Sequence, residues 1–258
     1  MNIYLTGDKH GYFYSITRYC QLHKNLNRND DVMIILGDVG INYYEDCILP
    51  GLYRTLTDLP ITLLCVHGNH ERRPATISSY EIDEFCNGKV YVNPEFPHVK
   101  FAVDGEIYDL PDYTGNIKIC IVIGGAYSVD KYYRLANGIS WFADEQPSDE
   151  IKINVENALI KNNWNIDYVF THTCPYKFRP TEWFLDVDTS KMIIDTSTEE
   201  WLQTIYDRLK YFEKWYCGHF HGEKYDINAK IRFMYEDITK LGQNWYLIVY
   251  IYEKCDII

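Results

Sequence analysis

The chain has 258 residues, is 47% hydrophobic and 24% charged, and carries a formal net charge of −12 from 37 acidic and 25 basic residues. That is the composition of an ordinary globular protein with enough chain for one large core. No apolar run approaches the ~20 residues of a membrane-spanning helix, and the acidic balance argues against broad electrostatic capture of nucleic acid.

The N-terminus, MNIYLTGDKHG, has neither the basic region nor the apolar stretch of a leader peptide, and it reads as a strand that starts at once. Eight cysteines stand singly at positions 20, 47, 65, 86, 120, 174, 217 and 255, with no Cys-x-x-Cys pair. A disulfide framework suits short secreted chains, so a reducing cytoplasm is the expected location. Cys65 and Cys120 fall in strand-like runs, where a thiol acts as a small buried apolar group.

Taken in order, NIYLTGD (2–8) is a short apolar strand, and FYSITRYCQLHKNL (13–26) has apolar residues near helical spacing. DVMIILGD (31–38) is an almost continuous apolar strand, as expected for a parallel strand covered on both faces. A helix interrupted or begun by Pro50-Gly51 follows, then the strand PITLLCVHGNH (60–70). This βαβαβ rhythm predicts a parallel sheet.

Residues 72–116 contain Pro74, Pro94, Pro97 and Pro111 and only short strand candidates, and are expected to feed a second sheet. NIKICIVIGGAY (116–127) is the strongest strand, and SDEIKINVENALIKNN (148–163) is an amphipathic helix with Ser148 as N-cap. IDYVFTHTCP (166–175) is a further strand, and 173–198 is irregular and aromatic, a candidate substrate rim. A helix with Thr196 and Glu199 at capping-box spacing follows, then strands in KWYCGH, KIRFMYED and NWYLIVYIYE. With no repeat, linker or low-complexity tract, a single domain over 1–258 is expected.

Polar residues collect where strands end: Asp8 and His10, Asp38, Asn69 and His70, His172, then His219 and His221. In α/β sheets ligands bind outside the carboxyl ends of the strands, so one sheet edge would gather two Asp, one Asn and five His. Carboxylate, imidazole and amide donors without thiolate suit Mn, Fe or Zn. Seven candidate ligands (Asp8, His10, Asp38, Asn69, His172, His219 and His221) are too many for one ion that keeps an open position. They suit two ions roughly 3.5–4 Å apart, with Asp38 placed to bridge them. In GHFH, alternate side chains of an extended turn diverge from Phe220, so His219 and His221 would serve one ion each.

The order D-x-H, G-D, G-N-H-[DE], a lone H, then G-H-x-H resembles that of the calcineurin-like metallophosphoesterases. Here it runs Asp8-Lys9-His10, Gly37-Asp38, Gly68-Asn69-His70-Glu71, His172, then Gly218-His219-Phe220-His221, across residues 7–222. The resemblance implies an αββα sandwich of two mixed β-sheets flanked by helices. It implies that Asp8, His10, Asp38 and His221 hold one metal, and Asp38, Asn69, His172 and His219 the other. It further implies a hydroxide shared by two metal ions attacking phosphorus in line, with His70 near the phosphate as the candidate acid for the leaving oxygen.

Two positions depart from the pattern. Ile41 stands where the family commonly has a second Asp that orients the histidine, with Glu71 as a candidate replacement, and His67 stands where protein phosphatases carry an arginine. Asn69, Arg72, Arg134 and Tyr127 are the candidate substrate-binding residues, with Arg73 a further cation nearby. GGAYSVDKYYR (124–134) reads equally as a rim that stacks on a base or sugar and as a packed aromatic loop. The expected partner is a small nucleotide-like or otherwise phosphorylated substrate, with no membrane. The alternatives are a nuclease, a phosphoprotein phosphatase, and a non-catalytic metal-binding scaffold.

Overall fold

A computed structural model describes residues 1–44, 48–184 and 194–243. Strand β1 (Asn2–Thr6) sends Ile3 and Leu5 to one face and Tyr4 to the other. β2 (Asp31–Ile35) repeats this with Val32 and Ile34 opposite Met33 and Ile35. All of these side chains are buried, so both faces of the sheet are covered. Between the strands runs α1 (Tyr14–Leu22), which buries Ile16 and Cys20. Helix α2 (Pro50–Asp58) starts at Pro50, where a missing N–H leaves no bond unmade, and leads into β3 (Thr62–Cys65), parallel to β2 as β2 is to β1.

The segment 72–116 corrects the expectation of a second-sheet excursion. β4 (Glu81–Phe85), β5 (Gly88–Val92) and β6 (Val99–Ala102) extend the first sheet, and β7 (Ile107–Pro111) alone crosses to the second. The free edge of β3 needs a partner, and β6 supplies one in parallel register, with Val99 and Phe101 continuing the face of Leu63 and Cys65.

The second sheet is built from β7, β8 (Ile117–Ile123), β9 (Tyr168–Thr171), β10 (Lys214–Cys217), β11 (Lys224–Asp226) and β12 (Ile231–Phe233). Their spatial order is β11-β12-β10-β9-β8-β7. The first sheet closes with β13 (Thr239–Lys240) against β1, in the order β13-β1-β2-β3-β6-β5-β4. Helices α3 (Lys131–Ala136), α4 (Asp149–Lys161) and α5 (Ser197–Arg208) complete the named elements. Leu5, Ile34, Tyr108, Val122, Phe170 and Tyr216 fill the space between the sheets. α1 and α2 cover the first sheet, while Val155 and Leu159 of α4 and Leu202 and Ile205 of α5 cover the second. The layers are therefore α-β-β-α, as expected.

Ser148 caps α4 by accepting from the Ile151 N–H at 3.3 Å. The capping box expected at Thr196 does not form. Thr196 Oγ1 donates to Glu200 (2.8 Å), and Glu199 is drawn inward to accept from Thr173 Oγ1 (2.9 Å), next to His172. Cys65 and Cys120 are buried in their strands. Cys47, Cys255, most of 173–198 beyond Phe184 and the NWYLIVYIYE strand lie outside the described residues. Among the described residues no helix is long and apolar enough to cross a membrane.

Candidate metal centre

The carboxyl ends of β1, β2 and β3 meet those of β9 and β10, so the polar residues converge where two sheets face each other and not along one sheet edge. The chain turns sharply there. His10 (φ 46°), Asp38 (φ 43°), His219 (φ 67°) and His221 (φ 49°) all adopt left-handed backbone, which few residues other than glycine tolerate, Asp and His among them. Both Asp8 carboxylate oxygens accept from the His219 N–H, at 2.9 and 3.1 Å. A Cβ on Gly218 would overlap that carboxylate, so only glycine lets β10 bring its histidines this close.

Two groups of donors face each other across Asp38. On the outer side His10 Nε2 and His221 Nε2 lie 3.0 Å apart, and His221 Nε2 is 3.2 Å from Asp8 Oδ2. On the inner side His172 Nε2 lies 2.7 Å from Asn69 Oδ1, and the His219 ring sits 4.9 Å from the His172 ring. Asp38 Oδ2 is 3.9 Å from His10 Nε2 and 3.6 Å from His172 Nε2, between the groups. Asp8 also approaches His172, but at Nδ1 (3.9 Å), the nitrogen engaged with the Leu36 carbonyl at 2.8 Å. The nitrogen of His172 that faces Asp38 and Asn69 is therefore Nε2. His221 lies with His10 and Asp8, and His219 lies beside His172.

Charge accounts for what this arrangement attracts. Burial opposes ionisation of Asp8 and Asp38, but the histidines around them, His172 first, hold both carboxyls below the usual range. The two carboxylates in turn outweigh burial at His172 and push it up to about 9. Burial pushes His219 down to about 3 and lowers His10. A buried carboxylate pair ringed by nitrogen and amide donors fits a hard-to-borderline divalent cation, and binding one would displace the proton the carboxylates hold on His172.

His70 donates its backbone N–H to Asp38 Oδ1 (2.8 Å), and its ring packs edge-on to His10 at 5.6 Å. Ile41 turns into the apolar layer under α1 and α2, which is why no carboxylate arises there. Glu71 does not replace it. Its buried carboxyl accepts from the backbone N–H groups of Val39 (3.1 Å), Gly40 (3.2 Å) and Gly68 (3.3 Å), tying the second and third motif loops together. His67 is 3% exposed and does not reach the surface.

The other candidates separate. Arg134 pairs with Asp130 (2.7 Å) and reaches Tyr43 Oη (3.5 Å) and the Ser140 carbonyl (3.2 Å), while its charge acts on His70. Arg72 bonds the Thr76 carbonyl at 3.4 Å beside the same loop. Arg73 is buried and ion-paired to Asp104. Tyr127, expected at a substrate rim, is 6% exposed and packs into the fold. Its neighbour Ser128 is the residue that matters. Ser128 Oγ accepts from Asn69 Nδ2 (2.8 Å) and so aims Asn69 Oδ1 at His172. Tyr235 was not anticipated either. Its ring stacks on His221 (4.9 Å), and its carbonyl accepts from Lys9 Nζ (2.7 Å) and the Gly7 N–H (3.0 Å). Ser128 had a signal in the sequence, since it follows the Gly124-Gly125 end of β8; Tyr235 had none.

A fold of this kind with a carboxylate–histidine cluster at its strand ends defines a class, the metal-dependent phosphoesterases. A family model described as calcineurin-like phosphoesterase matches residues 1–223, and the chain belongs to that family. Similar solved structures include phosphopantetheinyl hydrolase from Mycobacterium tuberculosis (13% identity, 91% of this chain and 88% of that one, TM-score 0.46). TT1561 of Thermus thermophilus is another (10% identity, 92% and 96%, TM-score 0.48). The calcineurin-like phosphoesterase YfkN of Bacillus subtilis is a third (13% identity, 95% and 86%, TM-score 0.38). No curated protein matches the chain. Membership makes the chain a metal-binding phosphoric ester hydrolase in class.

Proposed function

We propose that this protein hydrolyses a small phosphate monoester or diester with two metal ions, Mn, Fe or Zn, held by the residues around Asp38. The observation that carries the reading is the pair of donor groups on either side of the Asp38 carboxylate, at 3.9 Å from His10 and 3.6 Å from His172. Asp8, His10, Asp38 and His221 would hold one ion, and Asp38, Asn69, His172 and His219 the other. Bound there, such ions supply Lewis acidity toward the phosphoryl oxygens and lower the pKa of water.

The chain's own part is positioning and proton handling. Ser128 fixes the Asn69 carbonyl, and the Leu36 carbonyl fixes His172 through Nδ1. His70 stands beside Asp38 with its ring toward His10, where it can hydrogen-bond the phosphoryl or leaving oxygen. Burial lowers its pKa in the free protein, and a docked phosphate anion would raise it again, favouring proton donation on substrate binding. Arg134 supplies positive charge on that side.

Against a protein phosphatase stand Ile41 in the core and buried His67. Net charge −12 weighs against a nuclease, and the full set of seven donors weighs against a scaffold. Six free cysteines among the described residues, five of them buried, support a reducing cytoplasm. The test is turnover of bis-nitrophenyl phosphate, nitrophenyl phosphate, nucleotides and oligonucleotides by protein reconstituted with Mn, Fe or Zn. No turnover with any of these would remove the hydrolase reading. His70→Ala should hurt alkyl esters far more than nitrophenyl esters, and equal losses would assign His70 to phosphate binding instead.

A further inference from the structure

The metal centre accounts for the phosphate but not for what the phosphate is attached to. Along the continuation of the loops that carry Asp38 and His70 lies a cavity of about 350 Å³ walled by Tyr43, Tyr44, Trp141 and Phe142, with Arg72 and Asp144 among its lining. That is the lower end of the ~300–1,000 Å³ typical of small-molecule sites. We propose that this cavity takes a planar, hydrogen-bonding aromatic ring of the nucleobase type carried by the phosphate ester. The proposal rests on the hydrolase reading above.

The cavity is tied to the reaction centre by three separate links. Tyr43 and Arg72 continue the loops that carry Asp38 and His70, and those loops are stitched together by the Arg72 N–H to Asn42 carbonyl bond at 3.2 Å. Arg134, whose charge acts on His70, also touches two lining residues, Tyr43 and Ser140. A hydrogen-bonded chain runs from the wall to a metal donor. Trp141 Nε1 donates to buried Glu145 (2.8 Å), Ser128 donates to Glu145, and Asn69 donates to Ser128 (2.8 Å).

The chemistry of the walls selects the occupant. Trp141 is held along its edge by Glu145, with the Lys131 ammonium 4.1 Å from its ring centre, and Tyr43 packs edge-on to Phe142 at 5.9 Å. Aromatic walls fixed before binding favour a flat π-face, because little side-chain freedom remains to be lost. The lining also carries the Asp144 carboxylate, an acceptor, and the Arg72 guanidinium, a donor, the kinds of group that amino and carbonyl edges of a base use and that a phenyl or alkyl group leaves unmet.

The experiment compares adenosine 5′-monophosphate with ribose 5-phosphate on the metal-loaded full chain. Stacking of this kind gives a preference in kcat/KM of about 5- to 150-fold for the base-bearing ester. Tyr43→Ala and the cavity-filling Thr76→Trp should bring the ratio toward one, while Tyr43→Phe keeps it. A wild-type ratio near one, or a ratio untouched by both variants, overturns the proposal. If no phosphate ester is turned over, the hydrolase reading fails by itself, and saturation-transfer NMR with adenosine then decides about the cavity. Binding lost on Tyr43→Ala supports the subsite, and no binding to the wild type ends it.

Discussion

The donor groups on either side of Asp38 are built to different standards. The outer histidines His10 and His221 have side chains 32% and 48% exposed, whereas the inner His172 is 0% exposed; the carboxylates Asp8 (0%) and Asp38 (1%) are buried in either case. The inner donors are also braced, His172 by the Leu36 carbonyl and Asn69 by Ser128. The outer histidines are held by the Asp8 carboxylate and by ring contacts, His221 on Tyr235 and His10 on His70. The outer imidazoles are thus partly screened by solvent, while the inner donors act in a low-dielectric interior where a misplaced donor is expensive. An ion in the inner half should therefore be held tightly and exchanged slowly, and one in the outer half should come and go.

The comparison can be broken from the middle. Asp38→Asn should empty both halves and lower hydrolysis by about 10³-fold or more; metal counting by mass spectrometry reads the stoichiometry. A variant that keeps both ions would remove Asp38 from the bridging role. Next in size is the contrast between His172→Ala and His221→Ala. The first should lose the tight ion and the activity with it, and the second should keep about one ion per chain. Identical stoichiometry in both would erase the distinction. Ser128→Ala leaves the donor set intact but frees the Asn69 amide, and should weaken the inner ion by about 10- to 100-fold with little change in the outer one.

The smallest effect concerns β10, the strand that sends one histidine to each half. Lys214 at its start donates to the Gly242 and Gln243 carbonyls, and burial, with Arg232 nearby, pushes its amine down to about 8. A lysine lowered on folding binds fewer protons folded than unfolded between about 8 and its ordinary 10.5, so its contribution to stability rises with pH across that window. Lys214→Met should flatten the rise in thermal midpoint from pH 8 to 10 relative to wild type; parallel curves would refute it.

The seven donors were legible because each is a short polar run at the end of an apolar strand, and strand ends converge by topology. Their partition between two ions is what the family resemblance and the alternation in GHFH lead one to expect. The bracing was not. Ser128 meets Asn69 across 59 residues and the Tyr235 carbonyl meets Lys9 across 226, and no local pattern encodes such pairs. Tyr127 misled because an aromatic after a glycine turn reads the same whether it faces solvent or core. The segment 72–116 misled because its prolines mark ends of strands without saying which sheet takes them. Glu71 shows the same gap, since its place beside His70 in sequence gave no hint that its carboxyl would face the backbone of residues 39, 40 and 68.

Four of the proposed ligand positions sit in left-handed backbone without being glycine. Each such turn costs about 1 kcal/mol, against a folding margin of only about 5–15 kcal/mol for a typical domain. Cation binding offsets that cost, since only the folded chain gathers the donors. The survival of the protein in a cell should then follow metal supply, with a starved chain opening more often and being cleared sooner. Limited proteolysis with and without manganese reads this directly, and equal digestion rates would sever the link.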